Sequence, residues 1–202
     1  MKTIAMAVVL VCWPASALTQ SPAPMPLQHQ VRNNSVRVDL PGFTSISVQR
    51  GFRYAGGQRF ILKGVADAEQ HAFAEVDVDG AITRFYWFQF ESLLPAATGA
   101  YDYSTNSLAE FAGLEWRAQV RRYTAPPEAE GDQAALYKLL AARGWRVPLP
   151  ALRARLVYVP AEDRRRELMI IYGEATSSSA PPTAKESADL IARAQAGLRL
   201  VR

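Results

Sequence analysis

Apolar and polar residues trade places at every second position through much of this chain. Val36, Val38 and Leu40 alternate with Arg37 and Asp39, and Ile46 and Val48 keep the same period. Phe60, Leu62 and Gly64 alternate with Ile61, Lys63 and Val65. Leu114, Trp116, Ala118 and Val120 alternate with Glu115, Arg117, Gln119 and Arg121. Side chains on a strand point to opposite faces in turn, so this period predicts antiparallel strands with one face on a core. Gly56-Gly57 joins two strand-like runs and reads as a turn.

Val78-Asp79-Gly80-Ala81 is the strongest local signal. Asp-Gly between strand-like runs predicts a two-residue type I′ turn, in which both central residues need positive φ. That loop sets Glu75 opposite Arg84, Phe73 opposite Tyr86, Ala74 opposite Phe85 and Ala72 opposite Trp87. One opposite-charge pair and two small-against-large pairs support this register. A second hairpin is expected from residues 153–159 and 166–173 around Pro160–Arg165. On it, Leu156 and Tyr158 face one way, and Leu168, Ile170 and Tyr172 share a face.

Between these strands the period changes. Leu136, Leu139 and Leu140 form one apolar stripe, with Asp132 as the expected N-cap and Gly144 as the stop. A Ser/Pro-rich linker over 176–182 ends at Thr183-Ala184-Lys185-Glu186, a capping box. Leu190, Ile191, Ala194, Leu198 and Val201 then give an amphipathic last helix over 183–201. That helix packs on its own sheet or docks to a larger assembly. Strands with two helices segregated in sequence predict an α+β fold over 35–202. The expected architecture is a strongly curled, mostly antiparallel sheet of about seven to nine strands, half-barrel or barrel-like, flanked by two helices.

The start of the chain bears on compartment. Lys2 precedes an apolar run from Ile4 to Trp13, Pro14 breaks it, and Ala15-Ser16-Ala17 has the small-x-small form of a cleavage site. This pattern predicts a signal peptide over 1–17, cleaved near Ala17, and a periplasmic or secreted protein. The run is short of the ~20 residues that a membrane-spanning helix needs, so no transmembrane segment is expected in the mature chain. Residues 18–34, with Pro22, Pro24 and Pro26, read as a flexible leader. The single cysteine, Cys12, lies inside the predicted signal. A mature chain without thiols excludes a disulfide scaffold and cysteine catalysis.

The net charge of +4 comes almost entirely from arginine, as in Arg121-Arg122 and Arg164-Arg165-Arg166. It fits anionic envelope surfaces, or simply solvated strand faces and a hairpin turn. The basic residues are too few and too dispersed for nucleic acid, which is not an expected partner.

Candidate chemistry collects on the first hairpin. In an extended strand Asp67, Glu69 and His71 project from one face, and Phe73 and Glu75 continue it. Across the hairpin Arg84, Tyr86, Phe88 and Phe90 join that face. Asp67, Glu69 and His71 are candidate ligands for a divalent metal, and Glu69, His71 and Glu75 are candidate proton-transfer residues. Zinc sites usually hold more than one imidazole, and only His29, in the predicted leader, is available as a second. Polar residues at alternate positions also suit a solvated strand end.

The run Phe85–Phe90 is apolar on both sides, as expected of a strand covered on both faces or bordering a cavity. The ligand reading takes Phe73, Arg84, Tyr86, Phe88 and Phe90 as the floor of an amphipathic-ligand site. The loop from Pro95 to Ser107 adds Tyr101 and Tyr103, rings that suit a sugar or a peptide, or that hold the loop down. Nucleophile elbows, phosphate loops, His-Glu-x-x-His and dinucleotide fingerprints are absent, and no cofactor is expected. The functional expectation is a non-catalytic exported envelope protein binding a partner protein or amphipathic small molecule. The alternative is a hydrolase or metal-dependent enzyme using the Asp67/Glu69/His71/Glu75 face.

Overall fold

A computed structural model describes residues 24–202. The predicted signal, Cys12 and the first part of the leader lie outside the described residues. In chain order the strands begin with β1 (Val31–Arg32), β2 (Ser35–Leu40), β3 (Phe43–Val48) and β4 (Arg53–Leu62). The first long hairpin is β5 (Ala66–Val76) and β6 (Ile82–Leu93), followed by β7 (Ser107–Phe111) and β8 (Leu114–Tyr123). Helix α1 (Asp132–Ala141) precedes β9 (Ala151–Tyr158) and β10 (Arg166–Ala175), and α2 (Ala184–Ala196) precedes β11 (Leu198–Val201).

The fold is α+β with antiparallel strand pairing, but its strands form two sheets. One has the order β1-β2-β3-β11, the other β4-β5-β6-β10-β9-β8-β7. The single curled or barrel-like sheet of seven to nine strands is thereby corrected: the larger sheet is open, with edges at β4 and β7. Alternation reports that a strand has one buried face and is silent on which sheet the strand joins.

The seven-stranded sheet is buried on both faces. One face, with Phe73, Tyr86, Phe88, Leu156, Ile170 and Trp116, packs against the small sheet and α2. The other, with Ala72, Ala74, Phe85, Trp87 and Ile171, packs against Leu136 and Leu140 of α1. Doubly buried strands explain the apolar run of β6, as expected from its sequence.

The first hairpin has the expected register: Glu75 pairs with Arg84, Ala74 with Phe85, Phe73 with Tyr86 and Ala72 with Trp87. Its turn differs. Gly80 has φ 78° while Asp79 is not among the residues with positive φ, so the turn is not type I′. Asp77 instead accepts the amides of Asp79 (2.9 Å) and Ala81 (2.8 Å), and a bulge after Glu75 absorbs the extra loop residue. The second hairpin forms where the sequence predicts it, and its register pairs Leu168 with Tyr158 and Ile170 with Leu156.

Three local readings are corrected. Gly56-Gly57 is no turn; it lies inside β4 at a bulge, where Gly56 takes φ 137°. Asp132 is the first residue of α1, and Gly131 is its N-cap. The last helix ends at Ala196, and Leu198 and Val201 belong to β11 beside β3. The capping box at Thr183 and Glu186 forms as the sequence predicts.

The leader also differs from a free tether in its described part. Val31 pairs with Val36 in β1-β2, and Arg59 donates to the Pro26 carbonyl at 3.1 Å. The polar composition hides this docking, because backbone and carboxylate hydrogen bonds hold the segment and these leave no apolar period.

Candidate functional site

Alternation along β5 places Glu69, His71 and Phe73 on the face toward the small sheet, and the register sets Glu69 beside Phe90 and His71 beside Phe88. Glu69 is 2% exposed and His71 fully buried. A buried ionisable group is costly unless paired, and here the two pair with each other: His71 Nε2 lies 2.7 Å from Glu69 Oε1. The other ring nitrogen, Nδ1, lies 2.8 Å from the Tyr54 hydroxyl on β4. Burial, followed by the charge of Glu69, pushes the Tyr54 phenol up to about 12.

His29 completes the cluster from near the start of the chain's described part. The backbone amides of Gln28 and His29 donate to Glu69 at 2.6 and 2.8 Å, and His29 Nδ1 lies 3.1 Å from Glu69 Oε1. The His29 ring stacks on Phe90 with centroids 3.7 Å apart and planes 12° apart. Burial alone raises the Glu69 carboxyl, but the two imidazoles and two amides together outweigh it and hold the group below the ordinary carboxylate range. The ligating atoms of His29, Glu69 and His71 lie within 4.8 Å of one another.

Two imidazoles and one carboxylate form a donor set that zinc and other divalent transition metals accept. Tyr54 then has a defined part. If His71 ligates through Nε2, its Nδ1–H donates to the Tyr54 oxygen, the kind of outer contact that orients metal-bound histidines. Without a metal, the same side chains form a proton-holding pair, with Nε2–H donating to Glu69 and the Tyr54 hydroxyl donating to Nδ1.

The remaining candidates of that face go elsewhere. Asp67 accepts from Arg59 at 2.9 and 2.5 Å, and Glu75 accepts from Arg84 at 2.7 Å twice. Neither carboxylate reaches the histidines, so Asp67 does not join the metal ligands and Glu75 does not join the dyad. Phe73, Tyr86, Phe88 and Phe90 are buried in the core between the sheets, where Tyr86 donates to the Ala194 carbonyl of α2 at 2.8 Å.

Tyr101 and Tyr103 lie over the opposite face and pin their own loop. Tyr101 donates to Glu91 at 3.1 Å and Tyr103 to Glu167 at 3.0 Å. Burial raises both carboxyls, Glu167 to about 8 with the Glu91 charge as second cause. A chain of amides runs into this face: Gln58 donates to Gln70 and Gln70 to Gln89, each at 2.7 Å, and Gln89 donates to Glu91.

The sequence reading missed Tyr54, Gly57 and this polar face. Its signal was present: Gln70, Gln89, Glu91 and Glu167 fall on the inward positions of strands otherwise apolar there. Compared with protein-family models, curated proteins and solved structures, the chain matches none. No helix among the described residues is long and apolar enough to cross a membrane.

Proposed function

We propose that this chain is an exported envelope protein that binds a divalent transition metal, zinc foremost, through His29, Glu69 and His71. The observation that carries the reading is convergence. The chain has two histidines in 202 residues, and both meet on one buried carboxylate. Oxygen and nitrogen ligands also suit a mature chain that leaves its only cysteine in the signal. The bound metal ties the segment around His29 to β5, so the site is read as binding rather than catalytic.

Titration of the purified mature protein with zinc, followed by calorimetry, tests this. One zinc per chain is expected, lost in His29→Ala and in His71→Ala. A folded wild-type protein that takes up no zinc at micromolar concentration overturns the reading. Export is tested separately by the intact mass of protein from the periplasmic fraction, which is expected to begin at Leu18.

A second reading keeps the amphipathic ligand and moves its place. A groove of about 760 Å³ lies between Pro24–Leu27, β4 and α1, with Met25, Leu27, Phe60 and Ala135 among its apolar lining and Lys138 as its cation, while Arg59 is paired with Asp67 and Glu130 adds one carboxylate. This lining suits an apolar chain with an anionic head. Displacement of anilinonaphthalene sulfonate by a fatty acid in the wild type, abolished in Ala135→Trp, is the expected result. Equal dye binding in both proteins removes this reading.

A further inference from the structure

On the opposite face of the large sheet Arg153 and Arg155 make no direct ion pair among the described residues, although the charge of Arg155 acts at longer range on the buried carboxyls of Glu91 and Glu167. Arg153 is 4% exposed, and its guanidinium donates only to neutral groups, Gln133 Oε1 at 3.3 Å and the Tyr137 hydroxyl. Arg155 donates to Gln119 Oε1 at 3.2 Å. Among the described residues no carboxylate lies within 4 Å of either guanidinium, and the Nε–H of both, with the indole N–H of Trp87, has no partner. A buried cation in this state is costly, and each orphaned donor adds to the cost.

These groups surround one space. Register places Trp87, Ile171, Arg155 and Gln119 in a row across four strands, with Arg153 in the next row. They line a cavity of about 160 Å³ with Arg121 and the first residues of α1. Arg153 is held against the Tyr123 ring, 4.1 Å from its centroid. The N-cap of α1 is Gly131, which has no side chain of its own, and the first turn is served by Asp132 at the rim, whose carboxylate accepts the Gln133 amide at 2.7 Å. Three arginines meet a single carboxylate, Asp132, along this lining.

We infer that this cavity is an oxyanion site, built for a phosphate group held by Arg153, Arg155 and the exposed Arg121. Asp132 decides between tetrahedral anions. A hydrogen phosphate has a P–OH that donates to the Asp132 carboxylate, whereas sulfate has no proton to offer and meets only repulsion there. The phosphate is either free or the terminal phosphomonoester of a lipid, each of which keeps a P–OH, and the cavity volume suits the group itself in both cases.

Calorimetry of the mature protein in phosphate-free buffer tests the site, with inorganic phosphate, sulfate and phosphatidic acid vesicles as separate probes. Phosphate is expected to bind and sulfate to bind more weakly, with Asp132→Asn narrowing the difference. Arg153→Gln is expected to weaken phosphate by about tenfold or more. Arg121→Glu, at an exposed position, gives the same direction if Arg153→Gln fails to fold. Binding to vesicles without binding to free phosphate assigns the group to a lipid, and binding to both assigns the site to the phosphate group itself. No binding to either, or binding unchanged in Arg121→Glu and in a folded Arg153→Gln, overturns the inference.

Discussion

Gly57 lies directly across the β4-β5 pair from His71, so close that a Cβ at position 57 would sit 2.7 Å from His71 Nδ1. The glycine is required by space, since the imidazole occupies the volume that any side chain would fill. Gly57→Ala is therefore expected to push the ring off Tyr54. The expected costs are about 1–3 kcal/mol of stability, as for other overpacked sites, and weaker zinc binding. Urea denaturation and zinc titration of the same variant check both effects.

Zinc is expected to stabilise the wild-type protein. At zinc about 100-fold above the dissociation constant, linkage gives about 2.7 kcal/mol. In a domain of this size that raises the melting temperature by roughly 5–10 °C. His29→Ala removes one ligand from a part-exposed position and is expected to abolish the rise while the apo protein still folds. An equal rise in wild type and variant places the zinc elsewhere.

Glu167 makes stability fall with rising pH. Its carboxyl moves from 4.5 in the unfolded chain to about 8 in the fold, chiefly through burial. Between these values the folded state holds more protons than the unfolded state, so the slope of stability against pH is negative. The contribution is complete below 4.5 and is lost as pH rises through about 8, a change on the order of a few kcal/mol. Melts of wild type and Glu167→Gln between pH 5 and 9 are expected to show a steeper decline in the wild type.

The loop between β6 and β7 depends on its two tyrosines. Tyr101→Phe and Tyr103→Phe each remove a hydrogen bond to a buried carboxyl. Each is expected to cost about 1–3 kcal/mol and to speed amide exchange across the loop. Hydrogen exchange measured by mass spectrometry reads the result segment by segment.

The last helix belongs to the core. Leu190 and Ala194 are buried in the inter-sheet cluster, and β11 supplies an edge strand beside β3. Deletion of residues 183–202 is expected to abolish cooperative thermal unfolding. A truncated protein that still unfolds cooperatively would assign the helix to docking instead.

Features that neighbouring residues decide among themselves were legible before any fold was known. Charge and size matching between residues only a few positions from a turn defined the register from Ala72 to Glu75, and it held although the turn type differed. The same is true of the Thr183–Glu186 cap and of the buried faces of β8, β9 and β10. These features depend on local backbone geometry and on a period that burial imposes. Tertiary structure alone decided the rest. It divided the strands between two sheets, drew β11 out of the apparent helix, and filled the aromatic face with the small sheet. It also brought His29 to Glu69 across 40 residues, while Arg59 and Arg84 drew Asp67 and Glu75 away. Which carboxylate meets a histidine and which meets an arginine depends on through-space competition between strands, and a single-strand pattern carries no record of that competition.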